Sequence, residues 1–190
     1  MSPPGRPKGE FRSAQHEGTP VRATLRFMLR HPAHVIALGF GSGLAPRAPG
    51  TAGTLCAWAV FVLLERNFGP LPWAALLVAG LLLGVWACTL CARNMGVADP
   101  GAIVWDEIIA FWAVLWLIAP AGWMAQLLAF GLFRFFDAAK PGPVGWADRL
   151  FKGERGQTVG WAQGWGILFD DFVAAGCTLM VIALWRFIWG

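Results

Sequence analysis

The chain has 190 residues, of which 57% are hydrophobic and 14% charged, with 12 Trp, 14 Phe and no Tyr. Soluble domains carry nearer ~25% charged residues and disordered chains are poor in apolar ones, so both descriptions fail for the whole chain and a one-domain integral membrane protein remains. The formal charge of +4 sits in residues 1–30, which leaves no basic face for nucleic acid and points to an arm near anionic lipid.

Residues 1–30 hold Arg6, Lys8, Arg12, Arg22, Arg26 and Arg30 against Glu10 and Glu17, and are broken by prolines and glycines. They read as a basic, mostly disordered arm ahead of a membrane-embedded helical domain over 31–190. They lack the apolar core and small-residue cleavage site of a secretory signal. Next, VIALGFGSGLAPRAPGTAGT (35–54) is apolar but interrupted by five glycines and two prolines. This predicts a permissive loop rather than a spanning helix, with Thr51 or Thr54 capping a helix over 52–66. The stretch 71–92 is free of charge and long enough, at ~1.5 Å per residue, to cross ~30 Å of hydrocarbon. Asp99-Pro100 has the form of a helix start, which would place Asp106-Glu107 about two turns inside. Pro120-Ala-Gly122 predicts a turn, followed by a helix over 123–139, a glycine-rich polar segment over 141–166, and a last apolar helix over 166–189 with Asp170-Asp171 near its start.

The expected fold is all-α: an integral membrane bundle of five to six helices, some short or broken. Lys and Arg placement then predicts five crossings with the N-terminus inside. Cys88 and Cys91 form a CxxC within an apolar run. They are expected as small buried residues, because no second cysteine pair stands in a loop to support a thiol oxidoreductase.

Five acids abut or enter apolar helices: Asp106, Glu107, Asp137, Asp170 and Asp171. Each costs ~2.5–3.5 kcal/mol on the insertion scale unless it finds a polar cavity and a partner. The few nearby cations leave negative charge uncompensated, and Mg²⁺ with hard oxygen ligands answers that need. Salt bridges from Glu107 or Asp106 to Arg93 or Arg134, and a surface ladder of Arg134, Asp137 and Lys140, are the structural alternatives. Arg134 and Lys140 also suit phosphate, as a fork and a point charge. The glycine stretch offers backbone N–H groups near a helix start, and Arg47 is either a third phosphate cation or a surface anchor. His16, His31 and His34 all lie at the N-terminal end, so a core histidine nucleophile is excluded. The remaining chemistry is attack of metal-activated water on a phosphate ester.

Four segments carry a resemblance: GFGSGLAPRAPGTAGT (39–54), DPGAIVWDEI (99–108), FRFFDAAKPGPVGWAD (133–148) and GWGILFDDFVAAG (164–176). Together they resemble the phosphatidylglycerophosphatase A family. The resemblance implies a Mg²⁺-dependent lipid phosphatase, multi-pass in the bacterial inner membrane, that converts phosphatidylglycerophosphate to phosphatidylglycerol and phosphate. On that reading Asp106, Glu107, Asp170 and Asp171 hold Mg²⁺, and Asp137 is a further ligand or the base for water. Arg134 and Lys140 grip the phosphate, while Thr51 with Gly50 and Gly53 assists from the loop. The expected partners are the phospholipid substrate and bilayer lipids, with no nucleic acid; a homo-oligomer is compatible with the sequence. An ion-coupled transporter or channel would use the same buried carboxylates, but no paired repeat with broken helices accompanies them.

Overall fold

The computed structural model describes residues 21–97, 99–151 and 161–189. Among these residues the chain is helical, with no strand. Its α-helices are α1 (Leu25–Met28), α2 (Pro32–Ala37), α3 (Pro49–Glu65), α4 (Pro70–Met95), α5 (Trp105–Ile118), α6 (Trp123–Ala139), α7 (Pro143–Phe151) and α8 (Trp161–Trp189), with a 3₁₀ segment over Gly39–Leu44. The five long helices and α7 match the expected count of five to six. Two helical stretches, Pro70–Met95 and Gly164–Trp189, are long and apolar enough to cross a membrane.

The middle of the bundle is α5, which packs on α3, α4 and α8. Ile109, Ala110, Phe111, Val114 and Leu115 are all buried, because apolar residues surround this helix rather than forming one stripe. Its two buried indoles have to place their N–H groups. Trp105 Nε1 donates to Gly80 O on α4 at 2.9 Å, and Trp112 Nε1 donates to Ala57 O on α3 at 2.7 Å. At 14 residues α5 is about 21 Å long, shorter than the hydrocarbon core. It is a buried strut between its neighbours.

Several boundaries differ from the sequence reading, each for a local reason. Residues 21–30 were expected in the arm, but they are seated on the bundle. Val21 N donates to Met95 O at 3.0 Å, Thr24 caps α1, and Phe27 and Met28 are buried. Phe27 stacks on His34, with ring centroids 4.1 Å apart. Residues 1–20 of the expected arm lie outside the described residues. Within the glycine stretch, Gly39–Leu44 coils with positive φ at Gly39, Phe40 and Gly41. Then α3 starts at Pro49, three residues early, because proline is pre-set for a first helical position. Neither Thr51 nor Thr54 is its N-cap, which is Ala48 with left-handed φ and ψ.

Asp99-Pro100 opens a turn rather than a helix, with Ile103 N donating to Pro100 O at 2.9 Å. The chain then docks through Val104 N onto Ala37 O at 3.0 Å before α5 begins at Trp105. The expected polar segment over 141–166 contains α7, an amphipathic helix that lies on α8, and α8 begins five residues before the expected start. Cys88 and Cys91 are fully buried free thiols on α4, as expected.

The helices meet closely at small residues on α4. A side chain at Gly84 would press on the Trp105 indole and on Leu168. Gly84→Leu should therefore cost about 1–3 kcal/mol through overpacking. Gly131→Ala on α6 points into open space and should be neutral or slightly stabilising. Thermal unfolding of the two purified variants in detergent checks both directions.

Candidate active site

Chain geometry brings the acidic motifs to one end of the bundle. The 3₁₀ segment lays the start of α3 against the start of α5, so Asp106 and Glu107 fall in the first turn of α5. The sequence reading put them two turns deeper. In the first turn their negative charge is favoured by the positive end of the helix, and Asp106 Oδ1 accepts from Glu107 N at 3.0 Å. Asp170 and Asp171 move the opposite way. They lie in the third turn of α8, so a helix start does not account for them.

Glu107 reaches α3 because two glycines make room. A Cβ at Gly50 would overlap the Glu107 carboxylate, and one at Gly53 would press on Val104 and Glu107. These glycines were expected to offer phosphate their backbone N–H groups; in the structure their missing side chains also leave the space that the Glu107 carboxylate fills.

Two cations bind the acids into two groups. From α6, Arg134 Nη1 donates to Glu107 Oε1 at 3.0 Å and pairs with Asp137 one turn along the same helix. The same nitrogen stands 3.5 Å from Thr54 Oγ1, which in turn donates to Gly50 O at 2.9 Å. Lys140 caps the C-terminus of α6 with a left-handed backbone. That bend carries Nζ to Asp148 Oδ1 and Asp170 Oδ2, both at 2.5 Å. The expected ladder is thus half formed: Arg134 pairs with Asp137, whereas Lys140 turns away to α7 and α8. Burial works against the Lys140 ammonium, but its bonds to Asp148 and Asp170 outweigh it and hold the pKa above the ordinary lysine range.

The remaining charge has no such partner. Asp106, Asp137, Asp170 and Asp171 are all buried, and Asp171 lies within electrostatic reach of Asp106, Asp137, Glu107 and Asp170. Among the described residues no ion pair reaches Asp106 or Asp171. Glu107 Oε2 and Asp171 Oδ2 are buried with no hydrogen-bond partner among the described residues. An orphaned carboxylate oxygen is costly, and hard anionic oxygens are what Mg²⁺ takes, so the donor chemistry fits that ion. The acids are not drawn together around a point: among the described residues no three Asp, Glu, His or Cys side chains stand at metal-holding spacing.

Seven of the sequence-derived residues therefore converge: Asp106, Glu107, Arg134, Asp137, Lys140, Asp170 and Asp171. Two do not join them. Arg47 is exposed, and among the described residues no hydrogen bond links the Thr51 side chain to the cluster. Two contributors were missed. Thr54 is buried beside Arg134, and Asp148 shares Lys140 with Asp170. Both stood inside the motif segments; the signal for Asp148 was its place eight residues after Lys140, two turns on if the intervening segment is helical.

The phosphatidylglycerophosphatase A family model matches residues 35–186, most of the chain. The chain belongs to the phosphatidylglycerophosphatase A family. A Phosphatidylglycerophosphatase A of Escherichia coli (strain K12) is 38% identical over 155 residues, covering 80% of this chain and 82% of the relative. One from Haemophilus influenzae (strain ATCC 51907 / DSM 11121 / KW20 / Rd) is 36% identical over 166 residues, covering 87% and 94%. A Bacteroides thetaiotaomicron protein bearing the name "Putative phosphatidylinositol-3-phosphatase" is 36% identical over 163 residues, covering 82% and 94%. No solved structure matches. Family membership makes this chain a phosphoric monoester hydrolase, and the charged cluster is its candidate active site.

Removing one cation should strand its acids. Arg134→Met leaves Glu107 and Asp137 uncompensated and should cost about 3–5 kcal/mol. Adding Glu107→Gln should recover part of that loss in a thermal-unfolding double-mutant cycle. Lys140 has its pKa raised in the folded state, so its stabilisation is fully present below the unfolded lysine value and fades only as pH rises through the folded one. At pH 9–10 its amine should resist acylation in the wild type and react in Asp170→Asn, as read by peptide mass spectrometry.

Proposed function

We propose that this protein is a Mg²⁺-dependent lipid phosphatase that hydrolyses phosphatidylglycerophosphate to phosphatidylglycerol and phosphate at the cytoplasmic face of a bacterial inner membrane. The observation that carries the proposal is a buried cluster of carboxylates, two with orphaned oxygens, threaded by two cations in a chain of this family. The substrate comes from the names of its relatives. The membrane location draws on the two apolar helices. Asp170 and Asp171 lie within the first two turns of the apolar window Gly164–Trp189, about 10 Å along it. A headgroup can reach that depth while its acyl chains stay in lipid.

Asp106, Glu107, Asp170 and Asp171 would hold Mg²⁺. When bound, the ion supplies counter-charge to the phosphate and acidifies water. Arg134 binds the phosphate through its planar fork. Its bonds to Glu107, Asp137 and Thr54 all run through Nη1, so these contacts do not use the other edge of the guanidinium. Lys140 adds a point charge and offsets the negative charge that develops on the glycerol oxygen as it leaves. Asp137, beside Arg134 at the phosphate position, takes the proton of the attacking water. The water oxygen bonds to phosphorus, the bond from phosphorus to the glycerol oxygen breaks, and that oxygen ends protonated. Glu107 and Asp137 hold Arg134 in place, and Asp148 and Asp170 hold Lys140, which positions both cations before substrate arrives.

Phosphate release from phosphatidylglycerophosphate by the purified protein should require Mg²⁺ and stop with chelator. Asp106→Asn and Asp171→Asn should each lower turnover by at least the roughly 10–100-fold that loss of an outer-shell partner costs. Full activity in either variant would remove that residue from the ligand set. Faster turnover of phosphatidic acid or of a phosphoinositide than of phosphatidylglycerophosphate would overturn the substrate assignment.

A further inference from the structure

The opposite end of the bundle holds a cavity of about 330 Å³, lined by Phe61, Glu65, Phe68, Trp73, Trp116 and the turn prolines Pro70 and Pro120. Its size is that of a small-ligand site. Three features set its chemistry. The first is an aromatic wall held rigidly in place. Trp73 is buried, with ring centroids 4.7 Å from Phe61, 5.6 Å from Phe68 and 6.1 Å from Trp112. The second is a half-buried carboxylate, Glu65, which has no ion pair among the described residues. No Lys, Arg or His lines the cavity.

The third is the backbone around it. Helix α3 ends at Glu65 and α5 ends at Ile118, next to the lining residues Ala119 and Pro120. Both helices therefore bring the carbonyl-rich, negative ends of their dipoles to the cavity, against the one positive end of α4, which starts at Pro70. Pro70 at the start of α4 and Pro120 have no N–H to offer. Beside the indole N–H groups of Trp73 and Trp116, the side chains of the lining offer π-faces and the Glu65 carboxylate. Such a site favours a weakly hydrated cation held against the Glu65 carboxylate and the half-buried Trp116 indole.

We propose that this cavity binds an alkylammonium group, supplied either by the headgroup of an amine-bearing phospholipid or by a free organic amine. Arg66, exposed just beyond Glu65, stands where the phosphate of such a headgroup would meet a positive charge. The site lies away from the charged cluster, so a ligand here is not the substrate of the phosphatase reaction.

The test uses the purified full-length protein in detergent and reads the thermal midpoint. Tetramethylammonium chloride, compared with sodium chloride at equal ionic strength, should raise the midpoint saturably in the wild type. The apparent affinity should fall about tenfold in Glu65→Gln and in Trp116→Leu, the size of a desolvated cation–π or ion contact. Glu65→Gln conserves shape and should keep the lipid phosphatase activity, so a folding defect in Trp116→Leu would not obscure the result. In the second arm, phosphatidylethanolamine and phosphatidylglycerol are added to the wild type and to Glu65→Gln. A wild-type-specific gain with the amine lipid, competed by tetramethylammonium, assigns the headgroup as ligand. A response to tetramethylammonium alone assigns a free amine. Equal responses of wild type and Glu65→Gln to both the cation and the lipid would overturn the proposal, whatever the phosphatase assays show.

Discussion

Everything else in this molecule follows from holding carboxylates inside an apolar bundle. Asp106, Glu107, Asp137, Asp170 and Asp171 repel one another and resist leaving water, and both costs rise as the surroundings become drier. Among the described residues two cations stand inside the cluster. Arg134 bridges two acids from α6, and Lys140 bridges two more from the bend that follows. Two carboxylate oxygens stay unsatisfied. A fold that needed only stability would replace such groups with apolar ones, which singles out this cluster as the candidate active site of the hydrolase.

The scaffold that carries this charge is rigid where it must be. The indole N–H groups of Trp105 and Trp112 tie α5 to the carbonyls of α4 and α3. That fixes the first turn of α5, and with it Asp106 and Glu107. Gly50 and Gly53 then let α3 close over the Glu107 carboxylate. Arg134 comes from a helix that approaches from the other side, and its reach to Thr54 joins the motif at the start of α3 to the one at the end of α6. Four segments far apart in the chain thus become one charged cluster through helix ends and small residues, not through any single loop.

The two ends of the bundle have opposite chemistries. One gathers buried acids that outnumber their partners Arg134 and Lys140 among the described residues. The other is an aromatic cavity with the Glu65 carboxylate at the ends of α3 and α5.

Composition and motif spacing by themselves pointed to an apolar helical bundle, to long apolar elements over 71–92 and in the last helix, and to seven charged residues as one candidate set. Those conclusions need only the cost of burying charge and the length of a helix, which are properties of residues in order. Helix boundaries were legible only where breakers were unambiguous, as at Pro120-Gly122. They failed at Asp99-Pro100, where docking of Val104 onto Ala37 outweighed a good capping signal. They also failed at residues 141–151, where an amphipathic helix gained its stability by lying on α8. Which acids Lys140 serves was decided by the tertiary structure alone. Lys140 is three residues from Asp137 yet turns to Asp148 and Asp170, because a left-handed bend at the end of α6 redirects its side chain, and no local rule of spacing registers where a neighbouring helix will stand.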